Sequence, residues 1–427
     1  PPPPPPPSFQ AEDGIRDKQI CLVGSEMCIR DRHTREGQLG AELISACVHC
    51  GFCLATCPTY LDDPDERDSP RGRIYLIKTL LEEGQATATS RKHLDRCLTC
   101  RSCETTCPSG MRYSALADLG RGLLETEAPR PLHQRAFRWS LRTTLTTPWL
   151  LQTALRLGQW LRPVLPVALR QRVPEPRNRA PLPPSRNRRL MLLLDGCVQG
   201  AATPQTNDAL RRVLDRLGID AEPAVGAGCC GAVNYHLGAH EAGLDAMRRN
   251  IDAWWPAIEA GAEAIVTSAS GCGATVADYG ELLAHDPTYA ERALKISNLA
   301  RDIGQVRAAE DLSPLSAVTG RRVAMHTPCT LQHALGADAQ VRDVLERAGV
   351  ELTATCDDHL CCGSAGTYSI LERERSLRLR DRKLAALTGD SPDLIATANV
   401  GCQLHLQEGA EQPVRHWIEL LDPSPTS

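Results

Sequence analysis

Residues 47–60 read CVHCGFCLATCPTY, and residues 97–110 read CLTCRSCETTCPSG. Each is the same sentence in cysteine: Cys-x2-Cys-x2-Cys-x3-Cys-Pro. The first copy sets out Cys47, Cys50, Cys53 and Cys57 before Pro58, the second Cys97, Cys100, Cys103 and Cys107 before Pro108. Three thiolates at that step wrap one iron–sulfur cube, and the fourth leaves across a turn to reach the other cube. The expected ligand sets are therefore Cys47, Cys50, Cys53 and Cys107 for one [4Fe-4S] cluster, and Cys97, Cys100, Cys103 and Cys57 for a second. Structural zinc also takes four cysteines, usually as two CxxC pairs. It does not explain a third cysteine at the same step, the Cys-Pro ending and the writing of the whole pattern twice.

Around these runs, RGRIYLIKTLLEEG and RYSALADLGRGLLETE read as helices, and Pro58 and Pro108 as stops after each run. A helical, ferredoxin-like domain with two [4Fe-4S] clusters is expected over 36–127.

The C-terminal half carries a second duplication. RRLMLLLDGCVQG matches GRRVAMHTPCTLQ, GAGCCGAVNYHLG matches DHLCCGSAGTYSI, and EAIVTSASGCG matches DLIATANVGCQ. Cys197 and Cys329 are 132 residues apart, as are Cys229 and Cys361, and Cys230 and Cys362, while Cys272 and Cys402 are 130 apart. Such a constant offset marks an internal repeat. Short apolar runs followed by helical patterns predict strands alternating with helices, a parallel α/β unit with cysteines gathered at the strand ends. The expected repeats cover 189–318 and 319–422, making the whole an α+β multidomain chain. The glycines of the two Cys-Cys-Gly turns, Gly231 and Gly363, are expected where unusual backbone geometry or close approach is needed. Each repeat offers four thiols, Cys197, Cys229, Cys230 and Cys272 or Cys329, Cys361, Cys362 and Cys402, for a further cluster or metal, for redox chemistry, or simply for packing. His326 stands at a strand end where it could position a cofactor or a partner. For it, as for His236, His240, His333, His359 and His405, a local hydrogen bond is an equal reading.

Between the halves, 128–188 reads as a basic linker with amphipathic helices broken near Pro148 and Pro163. The stretch from Arg130 to Leu190 has 13 arginines and one acidic residue, Glu175, with Trp139, Trp149 and Trp160 among them. It suits either a membrane or partner surface or helices packed on their own domain. Residues 1–35 share no pattern with the rest of the chain and read as a disordered or artefactual start, so Cys21 and Cys28 carry little weight.

With 427 residues the chain has no need of disulfide staples despite 19 cysteines, and its net charge of −4 gives no argument for a nucleic-acid partner. No run reaches the roughly 20 apolar residues of a membrane span, and nothing reads as a secretory signal. Neither a dinucleotide fingerprint nor a P-loop is present, so no flavin or nicotinamide site is evident here, and no catalytic residue is assigned.

The paired clusters, SPRGRIYLIKTLLEEG, HTPCTLQHALG, CCGSAGTYSILERE and LRDRKLAAL together resemble the iron–sulfur subunits of glycolate oxidase, over about residues 35–422. The resemblance implies electron transfer from FAD-containing partner subunits that oxidise glycolate to glyoxylate, onward to a membrane quinone pool or another acceptor. It also implies a cytoplasmic protein held peripherally on the inner face of the inner membrane. Iron–sulfur subunits of lactate or glycerol-3-phosphate dehydrogenases would look alike. The Cys-Cys-Gly units are similar to the cysteine-rich subunit of heterodisulfide reductase, whose repeats end in CxxC. Here Ala269 and Asn399 stand where that extra cysteine would be, which speaks against a non-cubane cluster of that kind.

Overall fold

The computed structural model describes residues 34–166, 170, 173–175, 179–313, 315 and 320–422. Cys21 and Cys28, with nearly all of the 1–35 segment, lie outside the described residues. Thr34 opens the first helix, Arg35–Ser45, by accepting from the Gly37 amide at 3.1 Å. That helix and the helices Pro70–Glu83 and Tyr113–Glu127 enclose a core of Leu43, Ile44, Ile77, Leu80, Leu116 and Leu124. Ser69 caps Pro70–Glu83 on the Gly72 amide, and Gly84 closes it with a φ of 64°. Pro58 does not stop structure but starts it. It is the first residue of the Pro58–Asp62 helix, where its missing N–H costs nothing.

Two helices, Leu132–Thr146 and Pro148–Leu161, fill the basic stretch, with the break at Thr147 and a short 3₁₀ turn, Arg162–Val164, at Pro163. One face of these helices packs on the chain's own domains and the other is open. Arg130 and Arg138 pair with Asp95 and Leu151 is buried, whereas Phe137, Trp139, Trp149 and Trp160 are exposed.

The C-terminal half is two parallel four-stranded sheets of identical topology. Strands β1 (Arg189–Leu193), β2 (Ile219–Pro223), β3 (Ile265–Thr267) and β4 (Ala300–Asp302) lie in the order β2-β1-β3-β4. Strands β5 (Arg322–His326), β6 (Glu351–Leu352), β7 (Leu394–Thr397) and β8 (Val414–His416) repeat it as β6-β5-β7-β8. One hydrophobic core serves both: Leu193, Leu210, Val213 and Val266 from the first repeat pack with Met325, Val341, Ala396 and Trp417 from the second. Polar contacts close the seam. His416 Nε2 lies 2.6 Å from the Ser268 carbonyl, the Ser270 amide donates to the Ala398 carbonyl at 3.1 Å, and Arg212 pairs with Asp422.

Candidate functional site

The two cysteine runs adopt one backbone conformation at an offset of fifty residues. His49 and Gly51 have φ of 53° and 86°, and Thr99 and Arg101 have 52° and 61°. Each run thus coils through two left-handed residues around its second cysteine, which turns the three thiols of CxxCxxC inward. Only one of the four positions has the glycine that such geometry favours. Arg101 is held there by pairing with Asp278 of the first cysteine-rich repeat.

Two cavities result. One is lined by Cys57, Cys97, Cys100 and Cys103, the other by Cys47, Cys50, Cys53, Cys103 and Cys107. Each run therefore sends its fourth cysteine to the cavity built by the other. Pro70, Cys103 and Tyr113 form the wall common to both, so the two cavities are adjacent. The donor set suits an iron–sulfur cube in each, because four soft thiolates face one space. Two further observations agree with that fit. The Tyr113 hydroxyl is buried in the shared wall with a cysteine sulfur, that of Cys97, as its neighbour, a sulfur-facing donor of the kind that tunes a cluster. Burial also pushes the thiol of Cys53 up to about 11 and those of Cys100 and Cys103 well above their ordinary value. Without a metal these groups hold their protons, and metal binding must release them.

The first cavity is the more cationic. Arg73, which is 1% exposed, lines it, and Arg121 grips its rim by donating to the Cys97 carbonyl at 2.7 Å and to Thr99 Oγ1 at 2.9 Å. Positive charge in a dry wall favours the more negative, reduced form of any centre held there.

Each cysteine-rich repeat brings its own four cysteines toward one place at the strand ends. In the first, Cys197 neighbours Cys229, and Cys230 neighbours Cys272. In the second, Cys329 Sγ lies 3.8 Å from Cys361 Sγ, and Cys362 neighbours Cys402. The glycine of each turn is required twice over. Gly231 has φ 96° and would place a Cβ 2.7 Å from the Gly243 carbonyl; Gly363 has φ 83° and would place one 2.6 Å from the Ser376 carbonyl.

It is the second repeat that meets the cysteine-run domain through sulfur. Leu98 and Cys100 cluster with Cys361, Tyr368 and Leu379, with Cys329 against them. Ion pairs tie the second repeat to this domain at Arg375–Asp63 and Arg378–Asp62, and the first repeat at Arg112–Glu281 and His236–Asp118. Most of the histidines have local partners. His333 sits 3.0 Å from Thr105 Oγ1 and 3.2 Å from the His359 carbonyl, and His405 sits 3.1 Å from Ser376 Oγ. His326 has a partner at one nitrogen alone. Arg101, Tyr113 and Asp278 escape sequence reading, since none stands at a position that the cysteine spacing specifies.

A 4Fe-4S dicluster domain matches residues 43–111, and a cysteine-rich domain matches twice, at 191–277 and 323–407. The glycolate oxidase iron-sulfur subunit of Escherichia coli (strain K12) is 51% identical over 89% of this chain and 94% of its own length. The chain belongs to the family of glycolate oxidase iron–sulfur subunits. A probable member from Bacillus subtilis (strain 168) is 32% identical over 86% of this chain and 89% of its own. Lactate utilization protein A of Bacillus velezensis is 30% identical over 47% of this chain and 84% of its own. With its dicluster and cysteine-rich domains, a member of this family has a redox, electron-transferring role within an oxidoreductase complex.

Proposed function

We propose that this chain passes electrons from an FAD-containing partner that oxidises glycolate to glyoxylate toward a quinone or other acceptor. The observation that carries the reading is the pair of adjacent cavities, each lined by three cysteines of one run together with the fourth cysteine of the other. Cys47, Cys50, Cys53 and Cys107 would hold one [4Fe-4S] cluster and Cys57, Cys97, Cys100 and Cys103 the other. Bound clusters would supply one-electron chemistry at tuned potential. The chain's own part is to keep the two centres adjacent, exclude water with Leu98, Met111 and Tyr113, and bias one cavity with Arg73 and Arg121. The domain limits 36–127, 128–188, 189–318 and 319–422 are proposed on the same grounds.

Anaerobic co-purification with the flavoproteins should give about eight irons per chain, two cubanes' worth. Those irons should be reduced only when flavoprotein and glycolate are both present. Reduction by lactate or glycerol 3-phosphate and not by glycolate would move the chain to a different dehydrogenase. Lactate is the competitor to try first, given the half-length likeness to lactate utilization protein A.

Among the described residues no helix is long and apolar enough to cross a membrane. We place the chain in the cytoplasm, lying on the inner face of the membrane through the exposed Phe137, Trp139, Trp149 and Trp160 and their neighbouring arginines. Full-length protein should float with anionic vesicles at low salt, and a Trp149→Ser/Trp160→Ser variant should stay at the bottom of the gradient. Equal flotation of the two proteins would sink this placement.

A further inference from the structure

The two cysteine-rich repeats, so alike in spacing, differ beside their thiols. At the 132-residue offset Leu194 of the first repeat corresponds to His326 of the second. His326 ends β5 and is 1% exposed. Its Nδ1 lies 2.9 Å from Thr397 Oγ1, at the end of the neighbouring strand β7, and its Nε2 is buried with no hydrogen-bond partner among the described residues. A ring nitrogen of His326 and the sulfurs of Cys362 and Cys402 all lie within 4.8 Å of one another. A buried ring nitrogen left unpaired is unfavourable.

We propose that His326, Cys362 and Cys402 bind a single divalent cation of the zinc class, and that the first repeat, with Leu194 in place of the imidazole, does not. Two thiolates and one imidazole are a donor set that suits zinc, whereas cubanes are held by thiolates alone in the usual case. Binding releases the two thiol protons to solvent and breaks no other bond. The imidazole is ready as it stands: burial, then the Lys383 and His405 charges, hold its pKa well below the ordinary value, so the ring is neutral. Its orientation is fixed by Thr397, the outer partner that a metal-bound histidine requires. The thiol side has outer partners too. Asn399 Nδ2 donates to Cys402 Sγ at 3.4 Å, and Lys383, anchored on the Asp357 carbonyl at 2.8 Å, places a cation beside Cys361 and Cys362. Zinc's fourth position would be taken by water. Because Cys361 packs on Cys100, the cation would add fixed positive charge next to the cavity of Cys57, Cys97, Cys100 and Cys103.

The test needs no partner protein and no glycolate. Full-length chain, purified anaerobically with its iron in place and stripped of loose divalent metal by a chelator, is titrated with Co2+ alone. Sulfur-to-cobalt charge-transfer and tetrahedral d–d absorption report binding. The expected result is about one Co2+ per chain, displaced by Zn2+. His326→Leu, which copies the first repeat, should abolish the signal, and Cys272→Ser should leave it unchanged. Thr397→Ala keeps every ligand and should weaken binding by about 10–100-fold, so it decides the matter even where His326→Leu folds poorly. The proposal is overturned by Co2+ binding that survives His326→Leu, by loss of binding in Cys272→Ser, by a chain that takes up no Co2+, or by extra iron that persists in His326→Leu.

Discussion

Cys57→Ser will empty the centre built by the other run. The substitution should remove about four of about eight irons, and the lost irons should be those of Cys97, Cys100 and Cys103. The reason is geometric: Cys57 leaves its own run after the 3₁₀ turn Phe52–Leu54 and lines the cavity of the second run. Cys107 does the converse. The two centres are told apart by combining substitutions, because changes within one centre share a single loss and changes in different centres add. Cys57→Ser/Cys100→Ser should retain as much iron as Cys57→Ser alone, while Cys57→Ser/Cys50→Ser should retain almost none. The reduced protein with one remaining centre should give a simple electron paramagnetic signal in place of the interaction-broadened one of two neighbours. If instead Cys57→Ser/Cys50→Ser behaves like Cys57→Ser, each run serves its own centre and the crossed assignment is wrong.

Arg73→Met should be among the most destabilising substitutions in the chain. Arg73 is buried beside Asp68, which is 0% exposed and also contacts His93, Arg96 and Arg375 at 2.7, 2.9 and 3.3 Å. Removing one member of a buried charge network typically costs about 3–5 kcal/mol. The loss should spread to the metal centre. Arg73 Nη2 donates to Thr59 Oγ1 at 3.1 Å, Thr59 Oγ1 donates to the Asp68 carbonyl at 2.9 Å, and Cys57 Sγ lies 3.3 Å from Thr59 Oγ1. The guanidinium thus pins the turn that carries Cys57. Thermal unfolding of iron-loaded protein should shift down by several degrees, and the Cys57 centre should lose iron on mild chelation before the other does. Arg73→Lys keeps the charge but not the fork that reaches both Thr59 and the His93 carbonyl at 2.7 Å, so it should rescue only part of the loss. Wild-type iron retention in Arg73→Met would refute the link between this network and the centre.

Much of this architecture is legible in the residues. Cysteine spacing marks the two runs and the repeat offset, and apolar runs followed by helical periods mark the parallel α/β units. Pro58 misleads because a proline after a cysteine can stop one element or, as here, start the next. The left-handed Thr99 and Arg101 carry no signal, since tertiary contacts and not propensity hold them there. The common core of the two repeats is equally hidden: a strand's apolar face does not declare which neighbour will cover it. The exchange of Leu194 for His326 is visible once one repeat is laid on the other residue by residue, and invisible when cysteines alone are compared. Its meaning requires the distance to Cys362 and Cys402.

The core shared between two like-wound sheets also says something about ancestry. A face that buries itself against a copy of itself is what the interface of a symmetric homodimer does. Before the duplication was fused, one short chain would have met its twin across that seam, and both halves would have carried the same chemistry by necessity. Fusion broke the symmetry. Once a third domain met the two halves differently, one through the sulfurs of Cys100 and Cys361 and the other through Arg101–Asp278 and Arg112–Glu281, the halves ceased to be equivalent, and each was free to be selected for a task that its twin did not share.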